Sequence, residues 1–179
     1  MTRILLACFI AFLCSPAFAY TGFGVCNYGK ESISSVVCNG PTVLKETTIN
    51  GDIKITGSLQ ADSISVKSIT ITGSTQLSSS QVSGSVKIVG ELDADHVEFK
   101  QGVAVESDTI NLNHTKINGL LTVTSSNSNP YVQVVCGSTI TGSVFFDGKP
   151  GIVQITGDSI VQGKVVNGSL EFVKRSCSQ

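Results

Sequence analysis

The 179-residue sequence predicts an all-β fold, a single-stranded parallel β-helix built from triangular coils of about 17 residues. Three observations predict it. The stretch Ile49 to Lys67 repeats itself 33 residues later as Val82 to Lys100, with Gly51/Gly84, Lys54/Lys87, Ile55/Ile88, Gly57/Gly90, Leu59/Leu92, Ala61/Ala94, Asp62/Asp95 and Lys67/Lys100 identical. A finer step of about 17 residues runs inside that repeat. Tryptophan is absent, aromatic residues make up 6% of the chain, and Gly, Ser, Thr, Ile and Val dominate, a profile that suits strands and tight corners.

The chain opens on a leader. Met1-Thr-Arg3 is a short basic segment, Ile4 to Cys14 is apolar, and Ser15 to Ala19 ends in Ala-x-Ala, the pattern of a secretory signal peptide cut before Tyr20. The apolar run is too short to span a bilayer, which takes about 20 residues. Leu6-Ala7-Cys8 has too few residues ahead of it for a lipoprotein box. With no second apolar segment, the sequence predicts an exported chain without stable membrane insertion. Residues 1–19 thus read as leader, 20–47 as a disulfide-bearing cap, 48–172 as the β-helix and 173–179 as a tail.

Cleavage would leave four cysteines, Cys26, Cys38, Cys136 and Cys177. An even number in an exported chain argues for two disulfides, with three connectivities open. Cys26 and Cys38 are close in sequence and both precede the repeats, and Cys136 and Cys177 both lie in the last third, so pairing in that order is expected. Net charge after cleavage is −2, with no block of like sign, which argues against a nucleic-acid or anionic-membrane partner.

From Thr42 onward apolar and polar residues alternate: Ile53-x-Ile55, Ile64-x-Val66, Ile69-x-Ile71, Val86-x-Ile88, Val97-x-Phe99 and Val103-x-Val105. Each pair marks a short strand with its apolar side chains on one face. Ile53, Ile69, Val86, Val103 and Leu121 form one ladder, Ile55, Ile71, Ile88, Val105 and Val123 a second, and Ile49, Val66, Val82, Phe99 and Ile117 a third, all in steps of 16 to 18 residues. A unit this short cannot bury its own apolar face, but stacked on its neighbours it can.

Apolar-x-Gly segments around Gly51, Gly57, Gly73, Gly84, Gly90, Gly119, Gly142 and Gly157 supply corners that permit left-handed backbone. The competing reading takes Asn50-Gly51, Asn118-Gly119 and Asn167-Gly168 as hairpin turns of an antiparallel sandwich. A hairpin meander has no reason to hold a near-constant period, and Gly84 keeps the place of Gly51 behind a serine. After Val123 the register loosens. Ser125 to Pro130 and Asp147 to Gly151 read as loops. Val132-x-Val134, Ile140 to Phe146, Ile152 to Ile155, Val165 and Leu170-x-Phe172 read as two or three further coils. The two disulfides are expected to staple the ends, where strand edges are unpaired.

Candidate chemistry is sparse. Asp93 and Asp95 share one side of a strand and could hold a hard cation. Because Ala61-Asp62 recurs as Ala94-Asp95, a corner aspartate capping backbone N–H groups is the preferred reading. His96 and His114 lie about one coil apart. With no third ligand of obvious spacing they are read as solvent-facing polar residues, so no metal, cofactor or catalytic residue is assigned. Lys54 and Lys87, then Lys67 and Lys100, recur two coils apart as spaced outer charges that discourage sheet-to-sheet aggregation. No G-x-S-x-G, H-E-x-x-H or P-loop motif occurs. The hexapeptide rhythm of left-handed β-helix acyltransferases is missing too. Asn113-His-Thr115 and Asn167-Gly-Ser169 match the glycosylation pattern.

Coils of this length, with Ile49-Asn-Gly-Asp-Ile53 and Val82-Ser-Gly-Ser-Val86 as their repeated element, resemble bactofilins, the polymer-forming bacterial cytoskeletal proteins. The resemblance covers roughly Thr48 to Leu170. It implies a right-handed β-helix that assembles end to end without nucleotide. Bactofilins are typically cytoplasmic and lack cysteine-bearing flanks, so an exported relative or look-alike is expected and not a bactofilin proper. The sequence thus predicts a non-catalytic exported β-helical structural or surface-interaction protein of a bacterial envelope, one able to form a homo-oligomer or meet an envelope protein. A polysaccharide-binding or polysaccharide-cleaving β-helix is the alternative, and a pilin-like β-sandwich subunit held by Cys26–Cys38 a further one.

Overall fold

The computed structural model describes residues 19–125, 129–174 and 177. The expected leader lies outside the described residues except for Ala19, as does the centre of the expected Ser125–Pro130 loop. All described strand pairs are parallel, in a fifteen-stranded and a nine-stranded sheet. Every coil visits three faces in turn. The first two faces share the larger sheet, because Thr48–Thr56 and Ser65–Thr72 each run through the corner between them; the third face is the smaller sheet. The chain is an all-parallel β-solenoid, and the antiparallel sandwich is excluded.

The three apolar ladders fall in register as spaced. Ile53 pairs with Ile69, which pairs with Val86, then Val103 and Leu121. Ile49, Val66, Val82, Phe99 and Ile117 line up the same way on the first face. The one-residue disagreement between these ladders is a register shift between Ile49 and Asp52, where Asn50-Gly51 adds a residue to the corner. All of these side chains are buried, as alternation inside a closed coil requires.

The third face explains why the visible repeat spans two coils. Its two inward columns read Thr42, Leu59, Thr75, Leu92, Ile110 and Leu44, Ala61, Leu77, Ala94, Leu112. A coil with threonine in the first column carries leucine in the second, and the next coil carries leucine and alanine. Large and small side chains therefore interlock between neighbouring coils, which fills the interior without strain. The following corner alternates likewise. Buried Ser80 and Thr115 accept hydrogen bonds from the N–H groups of Ile64 and Val97 in the preceding coils, at 3.1 and 3.3 Å.

The stack begins ahead of Thr48. Ala19–Phe23, Cys26–Gly29 and Ser32–Ile33 pair in parallel with Ser35–Asn39, Thr42–Lys45 and Thr48–Thr56, so residues 19–47 already form coils. Beyond Val123 the coils lengthen: Leu121 pairs with Val144 and Val144 with Val165, while the inner columns continue unbroken. The last strand, Gly168–Val173, extends the solenoid one residue past the expected boundary.

The two ends differ. At the start, Tyr20 and Tyr28 meet with ring centroids 5.0 Å apart; Tyr28 packs against the core and Tyr20 is 37% exposed. At the finish, Leu170 and Phe172 occupy the columns of buried Val153 and Ile155, yet are 40% and 76% exposed. Cys136 bonds Cys177 and ties the tail back one coil or more.

Candidate functional site

The corner between the third and first faces brings chemistry together. Lys30, Glu46, Ser63, Ser79, His96, His114 and Cys136 each have φ between 44° and 56°, and Gly157 follows at 68°. Register places them one above another, each just after a third-face strand. The left-handed backbone is therefore the geometry of this corner, imposed on whatever residue stands there. Hydrogen bonds to the next coil fix it: His96 N–H donates to Asn113 O at 3.0 Å and His114 N–H to Val135 O at 3.3 Å.

In this column the imidazoles of His96 and His114 stack, with centroids 4.3 Å apart and planes 17° from parallel. Asp95 lies beside both. Its Oδ1 is 2.9 Å from His96 Nδ1 and 3.9 Å from His114 Nδ1, and Asn113 Nδ2 donates to the same oxygen at 2.7 Å. One ligand atom from each of Asp95, His96 and His114 can be chosen so that all lie within 4.8 Å of one another. The histidines do face solvent, as expected, with side chains 58% and 44% exposed. They also form a cluster with a third donor, which spacing did not disclose.

Asp95 departs from the expected corner cap: the hydrogen bonds described for its carboxylate come from His96 and Asn113 side chains. Asp62, two coils away, accepts a bond from the Ser63 hydroxyl at 3.2 Å. Asp93 lies in the outward row Gln60, Gln76, Asp93, Asn111, Gln133 and Gln154. Burial pushes its carboxyl above the ordinary carboxylate range, and the charges of Glu91 and Asp95 add to the shift. Lys54 and Lys87 flank Thr70 on the second face, so their backbones sit roughly 10 Å apart. The disulfides Cys26–Cys38 and Cys136–Cys177 pair in the expected order.

Among the described residues, no helix is long and apolar enough to cross a membrane. No family model, curated protein or solved structure matches the chain. The resemblance to bactofilins thus rests on the rhythm of the coils alone. What the chain is, on its own geometry, is a disulfide-bearing parallel β-solenoid.

Proposed function

We propose that the protein is a non-catalytic, exported structural element of a bacterial envelope that self-associates end to end through its C-terminal coil. The observation that carries this reading is the exposure of Leu170 and Phe172 at the finish of columns that are buried through the middle coils. The first and last coils present the same inner columns. Phe172 stands in the column that Tyr28 begins, Leu170 in that of Cys26, and Val165 in that of Tyr20. Because all described strand pairs are parallel, the start of a second copy presents strand edges of the right polarity to the finish of the first. Such a contact continues both sheets and covers the apolar end, as a further coil would. A head-to-tail contact of this kind is heterologous and leads to open filaments when it does not close. Export is part of the proposal on the strength of the Met1–Ala19 leader pattern and the disulfides.

The test uses untagged protein from the envelope fraction, its intact mass checking cleavage before Tyr20. Sedimentation velocity over a range of concentrations should show assembly, and Phe172→Lys should leave a monomer with unchanged far-UV circular dichroism. A wild-type chain that stays monomeric at every concentration overturns the reading.

A further inference from the structure

We propose that Asp95, His96 and His114 form a surface binding site for a divalent transition-metal ion of the zinc, copper or nickel kind. The donor set is two imidazoles and one carboxylate, which suits these borderline ions and not magnesium or calcium, whose preference is for oxygen. Donors about 2.0 Å from a tetrahedral ion stand ~3.3 Å apart. The two distances from Asp95 Oδ1 to the imidazole nitrogens, 2.9 and 3.9 Å, straddle that value. Small side-chain rotations that unstack the rings would bring the three donors onto one ion.

The scaffold already holds the ligands. His96 and His114 sit at equivalent positions of consecutive coils, with their backbones fixed by the inter-coil hydrogen bonds of the corner. The spacing is set by the sheet and not by side-chain contact. Asn113 Nδ2 orients the Asp95 carboxylate at 2.7 Å, the place an outer-sphere partner takes in metal sites. Glu91 and Asp93 precede Asp95 at alternate positions and add negative charge on that side of the strand. Glu98 and Lys116 share the hollow in which His96 and His114 lie. Since the three side chains are about half exposed, the remaining coordination positions face solvent, open to water or to a donor from another molecule.

The test is isothermal titration of untagged, chelator-stripped full-length protein with Zn²⁺, Cu²⁺ and Ni²⁺, with Mg²⁺ and Ca²⁺ as controls. Saturable binding of one transition-metal ion per chain is expected, without binding of the controls. His96→Ala and His114→Ala should each abolish it, Asn113→Ala should weaken it about 10- to 100-fold, and Asp95→Ala should weaken it at least as much. Unchanged melting curves of the metal-free variants establish that they fold. Imidazole proton and nitrogen resonances of the wild type give a second readout, independent of the variants: one equivalent of Zn²⁺ should shift those of both histidines. Absence of saturable binding, binding retained in His114→Ala, or resonances that do not move overturns the proposal.

Discussion

Asp93 shows how one residue can work against the regularity around it. Between Val43 and Glu171, the other members of its row are the amides Gln60, Gln76, Asn111, Gln133 and Gln154, which can bond along the stack without carrying charge. The Asp93 carboxyl is raised by burial first, and by Glu91 and Asp95 after that. A folded-state pKa above the unfolded one means that ionisation disfavours the fold, so stability falls as pH rises through the folded value. Asp93→Asn should therefore melt at a higher temperature than wild type at pH 7. The gap should close as pH falls below about 4, where the carboxyl is protonated in both states. Thermal unfolding at the two ends of that range checks the sign, and a variant that melts lower at pH 7 contradicts it. Thr75, by contrast, is a small cost in the interior: its buried hydroxyl has no hydrogen-bond partner among the described residues, in a column where leucine alternates with threonine.

At the scale of the element, the corners decide where the chain turns, and they do so for different reasons. Between the second and third faces, Gly40, Gly57, Gly73 and Gly90 stack directly on one another. A Cβ added at Gly73, which has φ +142°, would lie 2.1 Å from the Gly57 carbonyl oxygen. Gly73→Ala should cost about 3 kcal/mol from strain and overpacking together. Gly29→Ala, whose nearest contact would be 3.7 Å, should be nearly neutral in the same urea titration. Gly84 does not have positive φ; what excludes a side chain there is the Lys67 carbonyl 2.7 Å from the added Cβ. The expectation of left-handed backbone is therefore right at Gly73 and wrong at Gly84. Close approach between coils is a contact at long sequence separation, and spacing alone could not distinguish it from backbone conformation. The apolar ladders were legible because isoleucine and valine keep their period. The third face was legible only as a 33-residue duplication, since threonine and alanine inside it do not look apolar. The metal-ligand cluster stayed hidden for a related reason. Adjacent strand residues point to opposite sides, so Asp95 and His96 read as divergent. The left-handed corner at His96 turns the imidazole back toward the carboxylate.

The whole molecule is close to one-dimensional: each coil touches its neighbours, and stability is a sum of coil and interface terms. The two disulfides act on opposite ends of that sum. Cys26 and Cys38 are buried in the first coils, 12 residues apart, while Cys136 and Cys177 enclose 41 residues reaching to the last coil. Loop-closure entropy assigns about 3 kcal/mol to the shorter bridge and about 4 to the longer. In a globular core either loss would be shared by the entire fold. In a solenoid, the longer bridge holds a coil with one neighbour only, whose Leu170 and Phe172 gain little from burial. Removing it should therefore release the end before the middle. In a Cys136→Ser, Cys177→Ser double variant, native-state hydrogen exchange should rise at Gly168–Val173 and Ile160–Val161, while the amides of Ser65–Thr72 and Val86–Val89 keep their protection. A uniform loss across all coils would mean that the stack unfolds as one cooperative unit. Under the end-to-end reading the same variant should also lose self-association, because the surface that meets a second copy is the coil that frays. Assembly that survives full fraying of Gly168–Val173 would place the contact elsewhere on the solenoid.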